Sequence, residues 1–128
     1  MTRVLVTGSR TWRDRRAITD ALDELLTEHG VLTVVHGNAP GADRMAHNWA
    51  LSQMHASSCG AVSPEAHPAD WKKFGKRAGM FRNSLMVELG ADICLAFICN
   101  QSAGASHCAA LAETAGIPVR RFTEETAP

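Results

Sequence analysis

Asp92-Ile-Cys-Leu-Ala-Phe-Ile98 is an apolar run with no polar alternation after its first residue. A strand with one wet face alternates, whereas an unbroken run marks a strand covered by helices on both sides, the usual situation in a parallel sheet. The flanking segments fit that reading. Before it, a helical pattern after Gly75 carries Ala78, Leu85, Met86 and Leu89 inward and stops near Gly90. After it, Gly104 opens a helix with Cys108, Leu111, Ala112 and Ala115 on its stripe, and Gly116–Phe122 is a closing strand. The N-terminal half repeats this grammar twice. Arg3–Thr7 is a strand ending in Gly8-Ser9-Arg10. The helix that follows buries Ala17, Ile18, Ala21, Leu22, Leu25 and Leu26, with Thr11 and Asp14 as a variant capping box and Gly30 as its stop. Val31–Val35 is the next strand; a loop from His36 to Gly41 leads into a helix with Ala42, Met45, Ala46, Trp49 and Ala50 on one face. A weaker strand is predicted over Gly60–Ser63, followed by an irregular stretch from Pro64 to Lys73.

Five strands alternating with four helices predict a doubly wound α/β fold: a mainly parallel five-stranded sheet, helices on both faces and right-handed crossovers. In such sheets ligands lie outside the carboxyl ends of the strands, where strand order reverses. The loops starting at Gly8, Gly37, His67 and Cys99 are therefore the places to look for chemistry.

The chain has 128 residues, 45% hydrophobic and 20% charged, which suits one domain. Thirteen basic residues balance thirteen acidic ones. This balance argues against nucleic acid as a partner, because such binding draws most of its affinity from phosphate neutralisation. Cys59, Cys94, Cys99 and Cys108 form no C-x-x-C pair, so no metal and no cofactor are expected, and each reads as a small buried hydrophobe. No apolar run approaches the roughly 20 residues of a membrane span, and a cytoplasmic location with reduced thiols is expected.

Gly8-Ser9-Arg10 precedes a helix N-terminus, where free N–H groups and the dipole attract phosphate, although a plain tight turn reads the same way. Trp12 is open to stacking on a base or to packing. Gly37 and Gly41 bracket a turn that brings a second helix N-terminus, with Ala42 and Asp43, to the same rim; Asp43 is a ligand contact or simply a cap. His36 either meets ligand or fills core. On their helix, Arg82 and Asn83 both point toward apolar surroundings, which suits an anion-binding fork or a structural tie. Gly104, Ala105, Ser106 and His107 supply a third N-terminus, with His107 an acid/base group or a capping residue. Lys72, Lys73, Lys76 and Arg77 beside Trp71 form a basic face that either is merely solvated or guides an anion.

Thr7-Gly-Ser-Arg10 with Trp12 and Asp14, His36-Gly-x-x-x-Gly-Ala-Asp43, Pro68-Ala-Asp-Trp71, Gly75-Lys-x-Ala-Gly79, Arg82-Asn83-x-x-Met86, Gly104 with His107 and Gly116-Ile-Pro-Val119 resemble the YspA-like, cpYpsA-related branch of the SLOG superfamily. The resemblance implies a single Rossmann-like domain over residues 1–122, a polar tail over 123–128, and a nucleotide or nucleotide-derived ligand. It also implies a homodimer or higher oligomer, for which Trp49, Met80, Phe81 and Leu85 supply apolar helix surface. Arg82 with Met86 is similar to the R-K-x-x-M helix of the LOG phosphoribohydrolases, which cleave nucleoside monophosphates, and Gly37 and Gly41 resemble their second loop. Their P-G-G-x-G-T-x-x-E segment is matched here only at Gly104; Ala105 stands for Thr and Cys108 for the catalytic Glu. Bond cleavage would need another carboxylate, from Asp14, Asp43 or Asp70. The expectation is a ligand-binding domain that senses, sequesters or presents a nucleotide. A divergent N-glycosidase with Asp43 or His107 as its catalytic group is the alternative.

Overall fold

A computed structural model describes residues 2–56 and 61–124. Its strands are β1 (Thr2–Gly8), β2 (Leu32–His36), β3 (Val62–Ala66), β4 (Ile93–Cys99) and β5 (Val119–Glu124). The helices are α1 (Arg15–His29), α2 (Ala42–Ala56), one-turn α3 (Trp71–Phe74), α4 (Ala78–Leu89), reached through a 3-10 turn at Gly75–Arg77, and α5 (Ala103–Thr114). The sheet is wholly parallel in the order β3-β2-β1-β4-β5. The chain winds outward from β1 to β3, then crosses to β4 on the other side of β1.

That reversal puts helices on both faces and makes alternate residues of each central strand serve different cores. Val4, Val6, Val34, Leu95 and Phe97 pack with Ile18 and Leu22 of α1 and Ala46 and Trp49 of α2. Leu5, Val35 and Cys94 meet Met86 of α4 and Cys108 and Ala112 of α5, while Ala96 and Ile98 meet Ala105 and Ala109. The unbroken apolar run of β4 is thus the sum of two alternating faces. Each fully buried Leu or Phe contributes roughly 1.5–3 kcal/mol by leaving water.

Several boundaries differ from the sequence reading for identifiable reasons. Asp14 alone caps α1, accepting from Ala17 N at 3.2 Å. Trp12 N bonds Ser9 O and Arg15 N bonds Arg13 O, so Thr11 belongs to a separate turn. Gly30 ends the helix as expected, with φ 79° and its N–H on Leu26 O. Gly60 lies outside the described residues, and β3 runs on through Pro64 to Ala66. A proline is tolerated there because β3 is an edge strand. Asp70 caps α3, which the sequence reading took as irregular, by accepting from Lys73 N.

Of the four residues expected inward on α4, only Ala78 and Met86 are buried; Leu85 is 46% and Leu89 51% exposed. Phe81, Leu85 and Leu89 form an i, i+4, i+8 stripe on the outer face, and Phe81 meets Phe74 edge-on. On α5, Leu111 is only half-buried and Ala115 is exposed, and Ala105 and Ala109 take those places in the core. Thr123 and Glu124 belong to β5 rather than to a tail; residues 125–128 lie outside the described residues. Trp49, expected on a pairing surface, is buried between α1 and α2 and donates to Asp23. Among the described residues, no helix is long and apolar enough to cross a membrane, and no cluster of three metal-ligating side chains forms.

Candidate functional site

The strand order reverses between β1 and β4, and Ser9 closes the seam above them. Its N–H donates to Phe97 O at 2.9 Å, and its Oγ accepts from Cys99 N at 2.7 Å. Gly8 lets α2 press onto the strand end: a Cβ there would lie 2.2 Å from that of Ala42. Above this seam opens a cleft of about 590 Å³. The β1 end contributes Thr7, Ser9 and Arg10, and the β2 corner Ala39 and Asp43. Trp71 and Lys76 close one side, Gly79, Met80, Arg82 and Asn83 of α4 another, and Ser102 to Ala105 with His107 the last. A smaller hollow of about 240 Å³, between Pro40 and Pro68, shares the wall made by Arg10, Ala39, Trp71 and Arg82.

Three helix N-termini were expected at this rim, and among the described residues the structure leaves one, that of α5, with all of its first three N–H groups unengaged. At α1, Asp14 accepts from Ala17 N, and the Glu124 carboxylate accepts from the N–H groups of Arg13 and Asp14 at 2.9 Å each. At α2, Ala42 N donates to Ser9 O, while Asp43 Oδ2 turns back to take the N–H groups of Gly37 and Ala39 in the preceding loop. At α5, Ser102 makes no side-chain cap, and the first turn bond runs from Ser106 N to Ser102 O. The N–H groups of Ala103, Gly104 and Ala105 have no partner among the described residues. A Cβ on Gly104 would meet nothing within 4 Å among them. Asn100 and Gln101, both left-handed at φ 50° and 58°, turn the chain so that α5 starts at the cleft. Two such non-glycine residues cost about 1–3 kcal/mol each, a strain of the kind that collects at binding sites.

Facing α5 across the cleft, Arg82 donates from Nε to Asn83 Oδ1 at 2.8 Å and from Nη1 to Gly37 O. The absence of a side chain on Gly37 leaves room for this guanidinium, since a Cβ there would lie 2.2 Å from Nη1 and push the Arg82 side chain aside. Arg82 is thus a structural tie and a wall of the cleft at once, and its Nη2 has no protein partner among the described residues. Asn83 and Asp43 are buried. Burial lifts the Asp43 carboxyl to about 6, against the downward pull of the Arg82 charge and the Ala39 and Gly37 N–H groups. Its Oδ1 and His107 Nδ1 are buried with no hydrogen-bond partner among the described residues. Burial pushes the Cys108 thiol up to about 11, and it bonds Thr7, so it stays neutral.

The remaining sequence candidates sit elsewhere. His36 is wholly buried; its Nδ1 accepts from Asn38 N, and its Nε2 lies 2.9 Å from His47 Nδ1. Burial, reinforced by His47, holds it down to about 4, hence neutral. Trp12 packs edge-on against Phe97 and donates to Asp14 O. Gly41, at φ +83°, lies against the Ser9 and Arg10 carbonyls, and neither Ala42 nor Ser106 lines the cleft. Asp14 and Asp70 are spent as caps, which leaves Asp43 as the one carboxylate of the three in the cleft. Sequence reasoning passed over Trp71, whose ring lies 5.5 Å beneath the Arg10 guanidinium, and did not separate Lys76 from its three basic neighbours. The signal was an exposed Trp immediately after a capping Asp.

A sequence model of the family described as YAcAr: YspA, cpYpsA-related SLOG family matches residues 2–74. The chain is 49% identical over 126 residues to the Gene 61 protein of Mycobacterium phage D29, spanning 98% of this chain and 99% of that one. No solved structure matches it significantly.

Proposed function

The chain belongs to the YspA, cpYpsA-related SLOG family, and from that premise we propose that it binds a nucleotide or nucleotide-derived, phosphate-bearing ligand in the switch-point cleft without hydrolysing it. Membership suggests a nucleotide-related ligand and no particular reaction. The observation that carries the proposal is the N-terminus of α5, whose first three N–H groups are unengaged among the described residues and which the Arg82 guanidinium faces. A phosphate there takes N–H groups and dipole from one side and a charge-assisted fork from the other. Lys76 adds charge, and the half-exposed faces of Trp71 and Met80 offer a base an apolar wall. The cleft volume falls within the range of small-ligand sites.

The hydrolases' Glu has no counterpart at its own position, where Cys108 is a neutral buried thiol, and the cleft carboxylate Asp43 has one oxygen held by the Gly37 and Ala39 N–H groups. Calorimetry with purine and pyrimidine monophosphates and ADP-ribose, alongside chromatography for free base, tests both halves. Binding competed by inorganic phosphate, without release of base, is expected. Free base at about one per second or faster, abolished by His107→Ala or Asp43→Ala, would overturn the binding reading in favour of the N-glycosidase.

For the outer face of α4, where Phe81, Leu85 and Leu89 line up in water, we propose a second copy of the chain as partner. Light scattering at high micromolar concentration should give at least the dimer mass, and Leu85→Lys should return the monomer. We place the protein in the cytoplasm, a compartment that suits the free, buried Cys94, Cys99 and Cys108.

A further inference from the structure

Among the described residues, the two partnerless buried side-chain atoms come from different elements, Asp43 Oδ1 from the start of α2 and His107 Nδ1 from one turn into α5, and both residues line the same cleft. Asp43 is only 4% exposed. Its other oxygen is engaged by Gly37 N at 3.0 Å and Ala39 N at 3.5 Å, which fixes the carboxylate and leaves Oδ1 as its unengaged oxygen. Buried polar atoms in folded proteins nearly always have partners, so these two call for a partner from outside the chain.

The chemistry of that partner can be narrowed. An ionised carboxylate only accepts, so the ligand must bring a donor. An ammonium is disfavoured, because the Arg82 and Arg10 charges both act on Asp43. The donor is therefore neutral and belongs to an anionic molecule. His107 lies one helical turn from the N–H groups of Ala103 and Gly104, on the side of α5 that faces the cleft. In a nucleotide the group adjoining the phosphate is the sugar, not the base.

We propose that Asp43 and His107 form a hydroxyl-recognition subsite, in which Asp43 Oδ1 accepts from one hydroxyl of a ribosyl 5-phosphate and His107 Nδ1 bonds the neighbouring hydroxyl. The site then selects ribosyl over deoxyribosyl ligands. This rests on reading the α5 N-terminus as the phosphate site.

The test is a calorimetric comparison of ribose 5-phosphate with 2-deoxyribose 5-phosphate, and of each nucleoside monophosphate with its 2′-deoxy and 2′,3′-dideoxy forms. Inorganic phosphate serves as the base-free and sugar-free probe. Wild-type protein should prefer the ribosyl ligand tenfold or more. In Asp43→Asn the amide oxygen must stay on the Gly37 and Ala39 N–H groups, so the NH₂ replaces the acceptor, and the preference should fall to within about twofold. His107→Leu should reduce it partway, and it answers the question alone if Asp43→Asn fails to fold. The readout is a ratio of affinities, which general loosening of the fold does not move. Equal wild-type affinity for ribosyl and deoxyribosyl ligands overturns the subsite while leaving phosphate binding intact, as does an unchanged preference in whichever variants fold. If neither inorganic phosphate nor any sugar phosphate binds, the reading of α5 fails and the subsite with it.

Discussion

The corners after β2 and after β4 share one sequence grammar, strand then small-residue loop then helix, and end with opposite electrostatics. The β2 corner spends its glycines on the protein itself: Gly37 lies under the Arg82 guanidinium, Gly41 lies against the Ser9 and Arg10 carbonyls, and Asp43 takes the loose N–H groups. The β4 corner holds no glycine until Gly104, forces Asn100 and Gln101 left-handed, and leaves its helix start open to the cleft. Glycine in a βα loop therefore does not by itself mark a ligand contact. The discriminating feature is how many of the N–H groups at the helix start and in the loop before it the same chain has already engaged.

The sharpest way to break this contrast is to put a methyl group on the closed corner. Gly41→Ala at φ +83° sets a Cβ 2.4 Å from Ser9 O, and it should cost about 3 kcal/mol or more of stability in urea titration. A loss under about 1 kcal/mol would mean that the corner yields easily and that its closure is not built in.

Acidity separates the two buried titratable groups at the closed corner. Asp43 has its carboxyl near 6 when folded against an ordinary 3.8, so the folded chain binds the proton more tightly. This contribution raises stability as pH falls from about 6 to about 4. His36 is held near 4 against 6.5, so the unfolded chain binds its proton more tightly and stability falls over nearly the same window. Each contribution is of order 3 kcal/mol, so in the wild type they offset. His36→Gln should make the protein gain stability on acidification from pH 6.5 to 4, and Asp43→Asn should make it lose stability more steeply. Parallel slopes in the two variants would contradict the assignment.

Arg82 spans both corners. Arg82→Ala should weaken nucleotide binding by about 1.5–3 kcal/mol, the scale of a lost charge-assisted bond, as read by calorimetry. Because Gly37 O and Asn83 Oδ1 also lose their donor, thermal unfolding should show a stability loss of about 1–2 kcal/mol. Loss of stability with affinity unchanged would make the residue a tie and nothing more. The smallest effect is expected at the open corner. Gly104→Ala should raise stability by about 0.5–1 kcal/mol through helix propensity, as read by urea titration, while its methyl, with no atom of the described residues within 4 Å, obstructs the phosphate.

Much of the architecture was legible. The runs in β1, β2 and β4, the stripes of α1 and α2, the Gly30 stop and the burial of Asn83 follow from local patterns of apolar spacing and capping. The errors cluster where locally equivalent choices compete. Helix α4 is apolar on more than one face, so spacing cannot say whether Met86 or Leu85 turns inward; packing against α5 and the sheet decides it. Nothing near Arg15 reveals that its helix start is closed from the far end of the chain, because the carboxylate of Glu124 arrives there on β5.

By itself, then, the sequence determined the family and the parallel α/β layering, and it named the rim at which we propose a ligand, since each reading depends on short-range periodicity and on motifs within one βα unit. Only the tertiary structure decided which helix N-terminus keeps the most unengaged N–H groups, that His36 and Trp12 are core, and that Trp71 and Lys76 wall the cleft. It also decided that Asp43 and His107, which line that cleft, each keep an atom unpaired among the described residues. Those outcomes depend on groups tens of residues apart meeting at hydrogen-bond distance, and satisfaction of a buried polar group is a property of the assembled neighbourhood, not of the residue that carries it.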